Sequence, residues 1–330
     1  MAACHYADVL STFLLRCSRN ISLCVSKDLD VLLENFDVYA RALQAGREHV
    51  VRIAEGSVLM AHEDGIDQLE LRWAPSFMDG GASFEWKQDD ATGGGREYPE
   101  RWDEDIEAIL EGVGRARASI GEHKAPRVGL ICILVRHAPL SCAEMLPAFC
   151  RRWREHLVGF DIASSETIVP LETWSGVVSR IHEIGLPLTV HVGEGLPADE
   201  IRRALDTYAP VARIGHATSL LDDDELVQRV IRDKVHVECN PTSNVMTSSV
   251  PSYAEHPVKR LLAAGVHCSV STDDPTLFDI TASEEWARCV ERVGLSREDL
   301  LTLDRMAREA SFIGRGAASV DKAAPAEAQT

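Results

Sequence analysis

The sequence is short of basic residues. It has 34 Lys and Arg against 52 Asp and Glu, which gives a formal net charge of -18 at pH 7. Because an acidic surface repels phosphate backbones and anionic lipids, no nucleic acid or membrane is expected to bind through a basic face. The sequence also lacks any apolar run that approaches the roughly 18 residues of a membrane-spanning helix.

Paired cysteines and a targeting signal are also lacking. Nine cysteines are scattered without a Cys-x-x-Cys pair, and some of them, such as Cys132 and Cys268, stand in apolar runs. This pattern is typical of free thiols buried in a reducing cytosol. The first 15 residues have no basic region and carry Asp8, so they do not resemble a secretory signal. These features predict a cytoplasmic protein, and nothing in the sequence indicates its oligomeric state.

Short apolar segments of strand length alternate with longer segments of helical periodicity. Val128–Val135 is almost continuously apolar, which is typical of a parallel strand buried on both faces. The alternation predicts a parallel sheet built from right-handed strand–helix units. The seven predicted strands are Ile66–Pro75, Val128–Val135, Leu157–Ala163, Leu186–Val192, Ala212–Ala217, Val235–Asn240 and Val266–Thr272.

Eight such units would close a (β/α)8 TIM-type barrel, so one unit is unaccounted for near the N-terminus. Ile21–Ser26 is a segment there that fits a short strand. The expected fold is therefore α/β, a (β/α)8 barrel that lacks its first β-strand unit or has a degraded one. We divide the chain into an N-terminal segment of uncertain structure (1–28), the barrel (29–315) and a small, polar, disordered tail (316–330).

Polar residues cluster where the apolar strands end. One strand leads into His191 and Glu194, another ends near His216, and a third leads into Asp273 and Asp274. Taken singly, a strand histidine is more often a core residue, and Asp-Asp-Pro is more often a turn. Because three strands aim these residues at one barrel mouth, we interpret them as a site, and their residue types suit catalytic zinc and acid–base chemistry. Histidines outside the strands, including His256, are expected to be solvated.

At these residues the sequence resembles the adenosine deaminase family. The resemblance runs roughly from Leu29 to Phe312, and its blocks follow the family order. It implies a (β/α)8 barrel with one Zn²⁺ ion that hydrolytically deaminates a purine nucleoside, adenosine to inosine. The matching blocks are LELRWAPS (Leu69–Ser76), GFDIASSE (Gly159–Glu166), HVGEG (His191–Gly195), RIGHAT (Arg213–Thr218), VHVECNPTSNV (Val235–Val245) and STDDP (Ser271–Pro275).

The resemblance also implies a role for each polar residue at the mouth. His191 and Asp273 resemble the zinc ligands of the fifth and eighth strands. Glu194 resembles the acid that protonates purine N1, and a dry mouth should raise its pKa. His216 resembles the residue that orients and deprotonates the zinc-bound water. Asp274 resembles the partner of purine N7.

Two departures from the family pattern limit these expectations. The family's first strand carries two zinc ligands as His-x-His, with an acidic residue that helps to hold the ribose, and this sequence has no His-x-His. Two remaining ligands should bind zinc weakly, since catalytic zinc usually has three protein ligands. Ser164 also stands where the family has a glycine whose N–H binds the purine, so a side chain lies close to the ring.

Three functional interpretations therefore remain open. The first is a zinc-dependent adenosine deaminase, which requires residues upstream of Met1 or ligands from elsewhere. The second is a catalytically impaired or inactive family member, because of the absent ligands or a truncated gene. The third is a deaminase of adenine or of another aminopurine, since the ribose contacts that distinguish these substrates lie in the first-strand region.

Overall fold

The computed structural model describes residues 4–8, 41–78 and 97–314, the first of these ranges as strand backbone. The segment Ile21–Ser26 and the tail 316–330 lie outside the described residues. Eight strands form one parallel sheet in sequential order, each hydrogen-bonded to the next. The strands are β1 (Cys4–Asp8), β2 (Gln68–Trp73), β3 (Arg127–Val135), β4 (Leu157–Ala163), β5 (Leu188–Val192), β6 (Arg213–His216), β7 (His236–Cys239) and β8 (Cys268–Val270).

Helices connect the strands on the outside of the sheet. They are α1 (Arg47–Glu63), α2 (Pro75–Met78), α3 (Glu100–Ile120), α4 (Leu140–Ala143), α5 (Leu146–Arg152), α6 (Ser175–Ile184), α7 (Ala198–Thr207), α8 (Asp224–Arg232), α9 (Pro241–Met246), α10 (Val258–Ala263), α11 (Ala282–Arg288) and α12 (Arg297–Ala310). Short 3-10 helices span Leu171–Trp174, Leu220–Asp222 and Tyr253–Glu255, and a π-helix spans Cys289–Val293. No helix within the described ranges is long and apolar enough to cross a membrane.

The sheet confirms the predicted fold class. All seven strands predicted from the sequence are present, with ends that differ by a few residues. Parallel strands in sequential order with helices between them are the architecture of a (β/α)8 barrel. The cysteines match the expectation of buried free thiols. All six cysteines whose side chains are described are free and buried: Cys132, Cys142, Cys150, Cys239, Cys268 and Cys289.

The first strand is the short segment β1. Its backbone pairs with β2 from Cys4 opposite Gln68 to Asp8 opposite Arg72. It therefore takes the place of the first strand of a barrel, inside the segment 1–28 for which the sequence predicted no definite structure. The strand is only five residues long and reads Cys-His-Tyr-Ala-Asp, without the His-x-His of the family pattern.

Candidate active site

The carboxyl ends of three strands bring together the polar residues singled out in the sequence. His191 lies near the end of β5, His216 ends β6, and Asp273 follows β8. One ligand atom from each lies within 4.8 Å of the others, and no other group of His, Cys, Asp and Glu in the described part of the chain meets this criterion. Because imidazole and carboxylate groups are the ligands of catalytic zinc, this donor set fits a divalent metal ion.

A buried carboxylate on β4 forms a hydrogen bond with the ring of His191. Nδ1 of His191 lies 3.1 Å from Oδ1 of Asp161, which is fully buried. When Nδ1–H donates to this carboxylate, Nε2 is left for a metal, as in many metal sites. Burial opposes both charged forms, but the attraction between the two groups outweighs it. The pKa of His191 is raised to about 9, and the pKa of Asp161 is lowered to about 2.

Asp161 belongs to a chain of buried ion pairs inside the barrel. The guanidinium of Arg72 lies 3.0 Å from Asp161 and 2.5 Å from Glu238. The guanidinium of Arg213 lies 2.8 Å from Glu238 and 2.8 Å from Glu70. The most exposed of these five side chains is only 8% accessible. Because each charge depends on its neighbours for compensation, the network fixes the carboxylate that orients His191.

Glu194 lies beside His216 in a nearly dry position. Its Oε2 is 3.5 Å from Nε2 of His216, and its side chain is 10% exposed. Thr247 donates its hydroxyl to Oε1 of Glu194 at 3.0 Å. Burial is the main cause that raises the pKa of this carboxyl, which is the direction needed for a proton donor. Glu166 fixes the backbone of the segment after β5 that carries Glu194. Its carboxylate accepts hydrogen bonds from the backbone N–H groups of Gly193 and Glu194, each at 2.9 Å.

The backbone is left-handed at two of the converging residues. The φ angles are 66° at His216 and 60° at Asp273. Such angles cost non-glycine residues roughly 1–3 kcal/mol and persist where surrounding contacts impose them. One such contact is the hydroxyl of Ser243, which donates to Oδ2 of Asp273 at 2.7 Å. Asp274, the next residue, is 7% exposed. The strained backbone therefore directs these side chains to the mouth.

Ser164 follows the end of β4, where it takes the conformation of a glycine. Its φ angle is 84°, a value that favours glycine. Its hydroxyl lies 2.8 Å from Nδ1 of His137, which the sequence analysis did not single out. The serine side chain is therefore held in place by a histidine from the loop after β3.

The sequence-based expectation for His256 is wrong. This histidine is 2% exposed, and its Nε2 lies 3.1 Å from Oδ1 of Asn244. Asn244 lies on α9, with Nδ2 3.0 Å from Nδ1 of His216. Asn244 stands inside one of the blocks that resemble the family, but no local pattern reveals that His256 packs against it. His256 therefore belongs to the site through the fold alone.

A parallel barrel with imidazole and carboxylate donors at its strand ends defines the class of metal-dependent barrel hydrolases. The sequence profile described as adenosine deaminase matches residues 17–319. The chain belongs to the adenosine deaminase family and is thus an aminohydrolase of that metal-dependent family. This confirms the resemblance inferred from the sequence blocks.

Individual relatives agree with the family assignment. The chain is 30% identical over 291 residues to adenosine deaminase from Bos taurus, covering 86% of this chain and 77% of that protein. It is 31% identical over 260 residues to adenine deaminase from Cupriavidus necator, covering 79% and 72%. Among solved structures, adenine deaminase from Arthrobacter aurescens superposes with a TM-score of 0.75 at 22% identity, covering 94% of this chain and 93% of that chain. The N6-mAMP deaminase of Arabidopsis gives a TM-score of 0.78 at 22% identity, covering 94% and 93%. At these identities, the structural likeness shows the fold.

Proposed function

We propose that this chain carries a zinc-dependent site for the hydrolytic deamination of a purine nucleoside, with adenosine as substrate and inosine and ammonia as products. The observation that carries the proposal is the convergence of His191, His216 and Asp273, with donor atoms within 4.8 Å of one another. Glu194 lies beside this group with a raised pKa. A metal-binding donor set next to a buried carboxyl group with a raised pKa is the combination that this hydrolysis needs.

Each polar side chain at the mouth has a role in this proposal. His191 and Asp273 would hold the zinc ion, which as a Lewis acid activates water for attack on the ring. Burial raises the pKa of Glu194, and its carboxyl group would donate a proton to a ring nitrogen as charge builds up there. His216 faces the attacking water and orients it. Asp274 would be the partner of purine N7, a ring nitrogen that accepts a hydrogen bond, and Ser164 would offer its backbone N–H to the ring.

Adenine is the second candidate substrate. Adenine deaminase from Cupriavidus necator is 31% identical to this chain, as close as the adenosine deaminases compared with it. In the family pattern an acidic residue that follows His-x-His on the first strand helps to hold the ribose, and here the strand lacks the His-x-His that would mark the position of that residue. A purine base needs no ribose contact. The substrate therefore has to be decided by assay between the base and the nucleoside.

Weak zinc binding is the main prediction that separates an active from an inactive protein. With His191 and Asp273 as ligands, the site has one protein ligand fewer than catalytic zinc usually has. We expect the purified full-length protein to hold well under one zinc per chain, and added zinc to be required for ammonia release. One tightly bound zinc per chain, retained on dialysis, would contradict this expectation and point to further ligands. Cys4→Ala and His5→Ala would then show whether β1 supplies them.

The deamination assay uses zinc-loaded protein with adenosine, adenine and N6-methyl-AMP as alternative substrates. It measures ammonia released from adenosine and adenine, and methylamine released from N6-methyl-AMP. Glu194→Gln should abolish most of the activity, because an amide cannot donate the proton. Glu107→Gln changes an exposed glutamate on α3 and is the matched control. Ammonia release unaffected by Glu194→Gln would refute the proposed site. Purine binding without release of ammonia or methylamine from any of the three substrates would favour the catalytically inactive alternative.

A further inference from the structure

His256 is a buried histidine that the proposed chemistry does not use. It lies between the 3-10 helix Tyr253–Glu255 and α10, and it is 2% exposed. The backbone N–H of Val258 donates to its Nδ1 at 3.2 Å. A neutral imidazole has one donor nitrogen and one acceptor nitrogen, so this bond places the proton on Nε2. Burial, and then the neighbouring His216, lower the pKa of His256 to about 3, which keeps the ring neutral.

The proton on His256 determines how the side chain of Asn244 is turned. Nε2 of His256 lies 3.1 Å from Oδ1 of Asn244, so Nε2–H donates and the amide oxygen accepts. The amide nitrogen then faces the opposite way. It lies 3.0 Å from Nδ1 of His216 and 3.5 Å from Oε1 of Glu194. Only this orientation of the amide satisfies its contacts with His256, His216 and Glu194 together.

The amide nitrogen of Asn244 in turn determines which nitrogen of His216 carries a proton. An amide NH2 group has two hydrogens to donate and does not accept, so Nδ1 of His216 must be the acceptor. In the neutral ring the proton is therefore on Nε2, the nitrogen that lies 3.5 Å from Oε2 of Glu194. A protonated ring nitrogen has no lone pair for a metal ion or for the proton of a water molecule.

We propose that His256 and Asn244 are positioning residues that fix neutral His216 as the tautomer with its proton on Nε2. His216 then enters the mouth as a hydrogen-bond donor. It orients an oxygen there, but it neither ligates the metal through Nε2 nor takes a proton from water through that atom. Of the three converging donors, His191 and Asp273 remain as ligands. This differs from the base role that the family resemblance implies for His216.

The test reads the tautomer directly, in zinc-free and substrate-free protein. Full-length protein labelled with ¹⁵N-histidine gives two-bond ¹H–¹⁵N correlations that distinguish protonated from unprotonated ring nitrogens. His216 is assigned by the loss of its signals in His216→Gln. We expect Nε2 to be protonated and Nδ1 to be unprotonated. The opposite pattern in the wild-type protein would overturn the proposal. Since no turnover is measured, the result is independent of whether the chain deaminates adenosine.

One variant tests whether Asn244 sets the tautomer of His216. Asn244→Asp replaces the donor by an acceptor, so the proton of His216 should move to Nδ1 and Nε2 should become free. Chelator-buffered titration should then show tighter zinc binding than in the wild-type protein, by about tenfold for one added ligand contact of roughly 1.4 kcal/mol. An unchanged tautomer, or unchanged zinc affinity in a variant with the changed tautomer, would contradict the proposal.

A pair of His256 variants covers the case in which Asn244→Asp does not fold. His256→Leu releases the amide, so the signals of His216 should shift to a mixture of the two tautomers. His256→Gln keeps an N–H donor toward Oδ1 of Asn244 and should restore the Nε2-protonated form. His182→Leu changes a half-buried histidine on α6 and should leave His216 unchanged. Identical spectra of His216 in His256→Leu and wild-type protein would show that His256 does not set the tautomer of His216.

Discussion

If His191 is a zinc ligand as proposed, zinc must displace a proton from it, and zinc binding should depend strongly on pH. Burial disfavours the imidazolium, but the carboxylate of Asp161 3.1 Å away outweighs it and raises the pKa of His191 to about 9. A raised pKa means that the proton is held through neutral pH and leaves only as the pH approaches 9. The apparent affinity for zinc should therefore rise with pH up to that value.

The size of the effect follows from the pKa. At pH 7, two units below a pKa of about 9, only about 1% of His191 is neutral, whereas about half is neutral at pH 9. The apparent zinc affinity of the wild-type protein should rise about 50-fold between these two values, or about 2.3 kcal/mol. Asp161→Asn removes the carboxylate, so burial should bring the pKa of His191 down to about 6.5 or lower. In this variant the apparent zinc affinity should therefore rise less than about twofold between pH 7 and pH 9.

The same variant should also weaken zinc binding at pH 9, by about 10–100-fold, because Asp161 orients the ligand ring. The two curves of affinity against pH should therefore lie far apart at pH 9 and approach each other near pH 7. The assay is competition with a chromophoric chelator on zinc-free protein in matched buffers. Asp67→Asn is the control, because it changes a half-exposed carboxylate paired with Arg308 on the surface. Equal slopes for the wild-type protein and Asp161→Asn would refute the coupling.

Three further predictions concern stability. Arg72→Met leaves the buried carboxylates of Asp161 and Glu238 without a shared cation and should lower the free energy of unfolding in urea by about 3–5 kcal/mol; a loss below about 1 kcal/mol would contradict the network. At Ser164, with φ at 84°, Ser164→Gly should be more stable than Ser164→Ala by about 1 kcal/mol in thermal unfolding, since only glycine relieves the strain. Burial raises the pKa of Glu285 to about 7, so the folded state holds its proton between pH 4.5 and 7 and this contribution to stability falls as pH rises. Glu285→Gln should remove that decline of about 3 kcal/mol, and an unchanged pH profile would rule it out.

The fold was predictable because its signal is local. Each buried parallel strand is a short apolar run, and such a run can be recognised without knowledge of its neighbours. The site was predictable in part for the same reason, since His191, His216 and Asp273 stand at the ends of those runs. The first strand was harder to recognise. Cys4–Asp8 has five residues and mixed polarity, and only its pairing with β2 identifies it as a strand.

The residues that hold the site were not predictable, because their contacts join distant parts of the chain. Asp161 lies inside an apolar strand, and its partner Arg72 is 89 positions away in the sequence. His256 was expected to be solvated because it lies outside the predicted strands, yet the fold buries it against Asn244. Periodicity describes one element at a time, whereas the orientation of a ligand depends on the register of several strands.

The ion pairs inside the barrel are best explained as a support for a cation at the mouth. Three carboxylates (Glu70, Asp161, Glu238) face two guanidinium groups (Arg72, Arg213), which leaves one negative charge in excess. Buried networks of this kind seldom add stability over a packed apolar core, because desolvation offsets the attraction. The excess charge instead favours a positive group beside Asp161. His191 supplies that charge as an imidazolium and would yield the place to a metal ion. The interior charges thus set how strongly the mouth holds a cation, which is the quantity that zinc titration against pH measures.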